Sequence, residues 1–157
     1  SWIMTLNGTA PVQVIWQTGR IYETEMKNFL RDYPTANIWQ GAFIDRMDYA
    51  YEIADVVISR SGACTVSELC LAGKPTLFVP SPNVAEDHQT KNAKALVDVK
   101  AARMVADRDA VDCGISTALR MIADERELAM LTANISRLAI ADSADRVADE
   151  ILKHSKE

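Results

Sequence analysis

Three cysteines, two histidines and no long apolar run: what these 157 residues hold little of narrows the field first. Cys64, Cys70 and Cys113 show no CxxC spacing and leave one thiol over, which argues against a disulfide framework or a zinc site and fits reduced thiols in a cytoplasmic setting. His88 and His154 are too few and too far apart for a metal cluster, so no metal is expected. The apolar runs fall far short of the ~20 residues that a membrane-spanning helix needs. Ser1-Trp2-Ile3-Met4 has neither the basic nor the apolar segment of a secretory leader, and a chain without Met at position 1 is expected to be a fragment or a processed form. A net charge of −5 leaves no basic excess for a broad nucleic-acid surface, and no low-complexity linker or internal repeat stands out.

What is present is an ordinary soluble composition, 48% hydrophobic and 25% charged, on a chain long enough for one domain with a core. Short apolar runs at 12–16, 37–39, 56–59, 76–79 and 102–105 read as strands. Helical spacing fills the gaps. It runs over 22–33 (Met26, Phe29, Leu30 and Tyr33 on one face), 45–54, 64–72 and 86–97, then 111–123, 125–138 and 144–154. Gly73 and Pro75 stop the 64–72 helix. Strand and helix in alternation predict an α/β domain with a parallel sheet flanked by helices. The runs 56–59 and 76–79 are apolar on both faces, as buried parallel strands are.

Ligands of such sheets sit beyond the C-terminal ends of the strands. The loops there are Gln17-Thr18-Gly19, Gln40-Gly41-Ala42-Phe43-Ile44, Arg60-Ser61-Gly62-Ala63, and Pro80-Ser81-Pro82-Asn83 leading to Glu86-Asp87-His88-Gln89. The third is the most informative. A glycine turn opening a helix offers backbone N–H groups and the positive end of the helix dipole, and both attract phosphate. Thr65 adds a hydroxyl, and Arg60 is close by to neutralise charge or to brace the turn. Glu68 would repel a phosphate but suits the vicinal hydroxyls of a ribose. Together they point to a nucleoside diphosphate. The competing account is local: Thr65-Val66-Ser67-Glu68 has the form of a capping box, with Thr65 as N-cap and Glu68 reaching back.

The other loops carry similar pairs of readings. His88, Gln89 and Asn92 can line one edge of a helix and suit the hydroxyls and amide of a sugar, or they form a solvated helix start. The backbone at Phe43-Ile44 could read the edge of a planar base under an Ile44 lid, or the pair could staple the helix that follows. Cys64 could be imagined as a nucleophile paired with His88, but no third orienting group is evident and packing fits it better. His154 reads as a surface residue.

Several of these stretches carry a resemblance. They are the run from Asp55 through Arg60-Ser61-Gly62-Ala63-Cys64-Thr65-Val66-Ser67-Glu68 to Leu69, then Gly73-Lys74-Pro75, then residues 77–93, with Gln40 to Asp45 and Val14 to Gly19 in support. They closely resemble the MurG family, bacterial N-acetylglucosaminyltransferases that convert lipid I to lipid II in peptidoglycan synthesis. The resemblance covers roughly residues 12–150 and the family's C-terminal, donor-binding domain only. It implies one half of a GT-B glycosyltransferase. Residues 1–157 would then be a single partial domain, a Rossmann-like parallel sheet with flanking helices that lacks its first strand.

The resemblance also implies roles. The Ile44 backbone would meet the uracil. Arg60, Ser61, Gly62, Ala63, Cys64 and Thr65 would form the turn and helix start at the nucleotide phosphates, and Glu68 would hold the ribose hydroxyls. His88, Gln89 and Asn92 would lie at the sugar and neighbouring phosphate, although the family often has glutamine where His88 stands. No catalytic residue is implied here, no nucleophilic role for Cys64, and no cofactor beyond the nucleotide sugar. The donor would be UDP-N-acetylglucosamine. Lipid I and the membrane would be met through a missing N-terminal half, with the intact protein peripheral on the cytoplasmic face of the bacterial inner membrane. The acceptor's C4 hydroxyl would displace UDP with inversion. Because the missing strand is central in the family's sheet, the chain is expected to be less stable than a whole domain, to swap, dimerise or rearrange over the gap, and to transfer nothing alone. Two rival readings remain: another UDP-sugar enzyme of this fold (an epimerase or glycolipid synthase), or a non-catalytic nucleotide-sugar-binding module.

Overall fold

All the strand pairs are parallel, and every strand leads into a helix, as the alternating patterns predict. The computed structural model describes residues 2–6, 8–82 and 87–154, with the backbone alone at 143–147. By its internal contacts the chain divides into two units, Ser1–Ala54 and Asp55–Glu157.

In the first unit β1 (Thr9–Gln17) passes through α1 (Gly19–Asp32) to β2 (Ala36–Gly41), and α2 (Met47–Ile53) follows. Val14 to Gln17 stand opposite Ile38 to Gly41, but Thr9 stands opposite Ala36, so the ladder slips in between. Pro11 falls in the slip, where it has no N–H to give. Asn37 takes a φ of 69° there and donates through Nδ2 to the Ala10 carbonyl at 3.3 Å. Met26, Phe29 and Leu30 form the half-buried face of α1, and the Phe29 and Tyr33 rings lie 5.0 Å apart.

The second unit holds β3 (Val57–Ser59), α3 (Ala63–Ala72), β4 (Thr76–Phe78), α4 (His88–Asp98) and β5 (Arg103–Met104), then α5 (Asp107–Ala123), α6 (Glu125–Ser136) and α7 (Ser143–His154). The sheet order is β3-β4-β5. Every residue of the central β4 is buried, and Leu77 forms the core with Ala118, Met121 and Leu131, flanked by Val56 and Val105. Full burial of each such aliphatic side chain stabilises by ~1.5–3 kcal/mol. Two-sided burial holds for β4 and fails for β3, where Ile58 is 44% exposed. As the outer strand of its sheet, β3 has a neighbour on one side only and less cover.

Helix boundaries follow polar residues that an apolar pattern overlooks. The α5 helix starts at Asp107, four residues before the pattern at 111, with Asp107 and Asp109 in its first turn where acidic groups match the dipole. The α4 helix is described from His88, and residue 86, where the pattern starts, lies outside the described residues.

The end of α3 is as the glycine predicts. Gly73 is left-handed at φ 65°, its N–H donates to the Cys70 carbonyl and the Lys74 N–H to the Leu69 carbonyl, which closes the helix as a Schellman motif. A Cβ at Gly73 would come within 2.6 Å of Ser136 Oγ, which is held by the Thr132 carbonyl. Gly73→Ala is therefore expected to destabilise by about 1–2 kcal/mol, from left-handed strain plus the clash. Adding Ser136→Ala should recover the steric part alone. Thermal unfolding of both variants checks this, and a melting point unchanged by Gly73→Ala would contradict it.

Candidate functional site

The chain leaves β3 at Ser59, turns through Arg60, Ser61 and Gly62, and enters α3 at Ala63. Gly62 is the N-cap, extended at φ −62° and ψ 148°, and its carbonyl accepts the Val66 N–H at 2.9 Å. Thr65 is thus the third residue of the helix and not its cap, so the capping box is not formed. Residue types alone suggested it. The extended residue that a helix start needs is supplied earlier, by the glycine.

As a glycine, Gly62 brings no side-chain cap to this start. The N–H groups of Ala63, Cys64 and Thr65, which have no partner inside a helix, end at its mouth. Nothing in the fold asks for glycine at 62. Its φ suits any residue, and a Cβ there would meet no heavy atom within 4 Å.

The turn before this mouth is clamped by α4. Ser61 is fully buried. Its N–H donates to Gln89 Oε1 at 3.3 Å, its hydroxyl to the Gln89 carbonyl at 2.8 Å, and its own carbonyl accepts from Asn92 Nδ2 at 3.0 Å. Gln89 Oε1 also accepts the Ser81 N–H at 2.9 Å, so one side chain ties together the loops after β3 and β4. Arg60 braces the turn. Its Nη1 donates to the carbonyls of Val79 and Pro80 at 3.0 and 3.3 Å and pairs with the Asp107 carboxylate at the start of α5.

Among the remaining expected residues, Glu68 is exposed on α3 and His88 is exposed as the first residue of α4. Cys64 is exposed, so it is no packing residue, while Cys70 on the same helix is buried, and that burial pushes its thiol pKa up. His154 is exposed, as expected. Ile44 belongs to the first unit. There its N–H donates to Gln17 Oε1 at 2.9 Å, and the loop is tied down by Thr18 N–H to Gly41 O at 2.9 Å and Gln40 Nε2 to Thr18 Oγ1 at 2.8 Å. Phe43 is 65% exposed and forms no staple, because the helix begins only at Met47.

Pattern reading missed three partners. Gln17 holds the Ile44 loop, Ser81 shares Gln89, and Asp107 pairs with Arg60 from 47 residues away. Gln17 and Ser81 stood in the strand-end loops the sequence marks out, whereas Asp107 lay before the apolar pattern of its helix. Among the described residues no group of His, Cys, Asp and Glu is placed to hold a metal ion.

An α/β unit with parallel strands and a helix mouth at their C-terminal ends is the form of a Rossmann-like nucleotide-binding domain. The chain belongs to the glycosyltransferase family 28 C-terminal domain family, which it matches over residues 3–147. It is 56% identical over 142 residues to a Parabacteroides distasonis protein named UDP-N-acetylglucosamine--N-acetylmuramyl-(pentapeptide) pyrophosphoryl-undecaprenol N-acetylglucosamine transferase, covering 90% of this chain and 39% of that protein. A protein of the same name from Bacteroides thetaiotaomicron is 46% identical over 154 residues, covering 96% and 41%. The crystal structure of Acinetobacter baumannii MurG superposes with a TM-score of 0.79 at 31% identity, over 92% of this chain and 42% of that one. A kitacinnamycin glycosyltransferase, at 22% identity and a TM-score of 0.69 over 90% of this chain and 34% of its own, shares the fold. The chain thus spans about two fifths of the length of the curated relatives it matches.

Proposed function

We propose that this chain is the donor-binding part of an inverting glycosyltransferase that moves N-acetylglucosamine from UDP-N-acetylglucosamine to lipid I, forming lipid II. The observation that carries the reading is the α3 mouth: uncapped, fixed from behind by α4, and opened by a glycine that neither backbone nor packing requires. Glycine in such a place suits the close approach of a ligand to the backbone. The diphosphate then lies on the N–H groups of Ala63, Cys64 and Thr65, and Glu68 takes the ribose hydroxyls. His88, Gln89 and Asn92 lie at the sugar. The names and identities of the relatives support the choice of donor and acceptor.

As UDP leaves, charge develops on the diphosphate, where fixed N–H donors stabilise it most. The acceptor's C4 hydroxyl attacks the anomeric carbon, and binding the acceptor, taking that proton and meeting the membrane on the cytoplasmic face fall to the rest of the enzyme. Among the described residues no helix is long and apolar enough to cross a membrane.

Three outcomes are expected. Gly62→Ser supplies a better cap and fills the mouth. It should hold or raise stability by a few tenths of a kcal/mol while weakening UDP binding about tenfold; unchanged affinity in calorimetry would remove the main support for the phosphate site. Glu68→Ala should cost ~1–3 kcal/mol of UDP affinity, the loss of a charge-assisted hydrogen-bonding partner, whereas lost stability with intact affinity would favour a structural role. Finally, β3 pairs on one side only and leaves Ile58 exposed. The chain alone is expected to cover that edge by dimerising or swapping, and a monomer at every concentration in sedimentation would contradict this.

A further inference from the structure

Arg60 Nη1 gathers the ends of three strands. The β3–β4 ladder closes with the Val79 N–H on the Ser59 carbonyl at 2.8 Å, and the β4–β5 ladder with the Val105 N–H on the Phe78 carbonyl at 2.9 Å. Just past these bonds the carbonyls of Val79 and Pro80 accept from Arg60 Nη1 at 3.0 and 3.3 Å. Arg60 itself follows β3, and the carboxylate it pairs with, Asp107, opens α5 three residues after β5 ends at Met104. Nη1 carries two hydrogens and meets three acceptors, so the two carbonyls share one hydrogen and the Asp107 carboxylate takes the other.

We propose that Asp107 is a positioning residue of the α3 mouth: it aims Arg60, and through Arg60 it holds the turn after β3 against the ends of β4 and β5. The proposal rests on the donor-site reading above and deepens it, adding a residue outside the phosphate contacts that sets how those contacts are presented. The pair is no source of stability, since an ion pair whose side chains are 54% and 37% exposed contributes little. Its effect is on where the guanidinium points. Without the carboxylate, one Nη1 hydrogen loses its acceptor, and a long side chain regains rotamer freedom beside the fully buried Ser61. The Ser61 N–H bond to Gln89 Oε1, at 3.3 Å the longest of the three that hold Ser61, is the contact that yields first. Charge alone predicts the opposite sign: a carboxylate near an anion site repels the ligand, so its removal would tighten UDP binding.

Calorimetry with UDP and hydrogen exchange of the ligand-free chain separate the two accounts. Asp107→Ala should weaken UDP binding about threefold and speed exchange of the Ser61 amide by a similar factor. Asp107→Asn keeps an oxygen for Nη1 without the charge, and it should restore most of both. In an Arg60→Met background nothing is left to aim, so Asp107→Ala should weaken neither binding nor protection further. The loss of an acidic residue from the first turn of α5 is common to both backgrounds and cancels in this cycle. Tighter UDP binding in both Asp107→Ala and Asp107→Asn would reveal a plain charge effect and overturn the proposal. So would equal losses from Asp107→Ala with and without Arg60, or unchanged exchange at Ser61. A wild-type chain that binds no uridine nucleotide would sink the donor-site reading, and the exchange cycle would still decide whether Asp107 positions the turn.

Discussion

The candidate site depends on one constraint: a buried turn must have its backbone satisfied. Ser61 is fully buried just past the point where the β3–β4 ladder ends, so the sheet no longer supplies its partners. The α4 helix supplies them instead, through the Gln89 side chain and carbonyl and the Asn92 amide. Each of these three groups left without a partner would cost about 1–3 kcal/mol. The shape of the α3 mouth is therefore not a local property of α3. It is set by a helix that begins 25 residues after α3 does, which is why a site made of backbone groups can hold its form without a capping side chain.

A side-chain cap is the exception among the described residues: α1, α2, α3, α4 and α5 start without one. At α6, Asp124 caps in the ordinary way, its Oδ1 accepting the N–H groups of Arg126 and Glu127 at 3.1 and 3.0 Å. A cap of that kind is worth about 1 kcal/mol. At α3 the corresponding position is Gly62, with open space around it. The bare start alone therefore does not mark α3; what sets it apart is a glycine N-cap whose turn is held from behind by Gln89 and Asn92 of α4.

The alternation of apolar runs made all five strands and the succession of helices legible, because burial in a parallel sheet demands continuous apolar stretches. Cover was not legible. The run at 56–59 says what β3 is able to bury, and the exposure of Ile58 depends on neighbours the run does not encode. The capping box misled for a related reason: Thr65 and Glu68 have the right types and spacing, but which residue is extended is decided by the turn before them. Arg60 was legible as a group near the site, yet its choice between bracing and binding rested on Asp107, 47 residues on. The long block from Arg60 onward was legible as a family trait, and the family match over residues 3–147 agrees with it.

That choice by Arg60 has a consequence for how an anion would be held. Its Nη1 is met by two carbonyls and a carboxylate, so it reinforces the turn, while the side chain stays 54% exposed. Asp107 is met in return, by Arg60 and by the positive end of its own helix, which blunts the repulsion it would otherwise exert on a nearby phosphate. On the donor-site reading, a diphosphate would face the α3 N–H groups and a dipole equivalent to about half a charge. Such donors are in place before the reaction and need not reorganise as charge builds on the leaving group. Arg60 thus serves the architecture of the turn through Nη1 and, on the donor-site reading, the phosphate itself is left mainly to backbone groups.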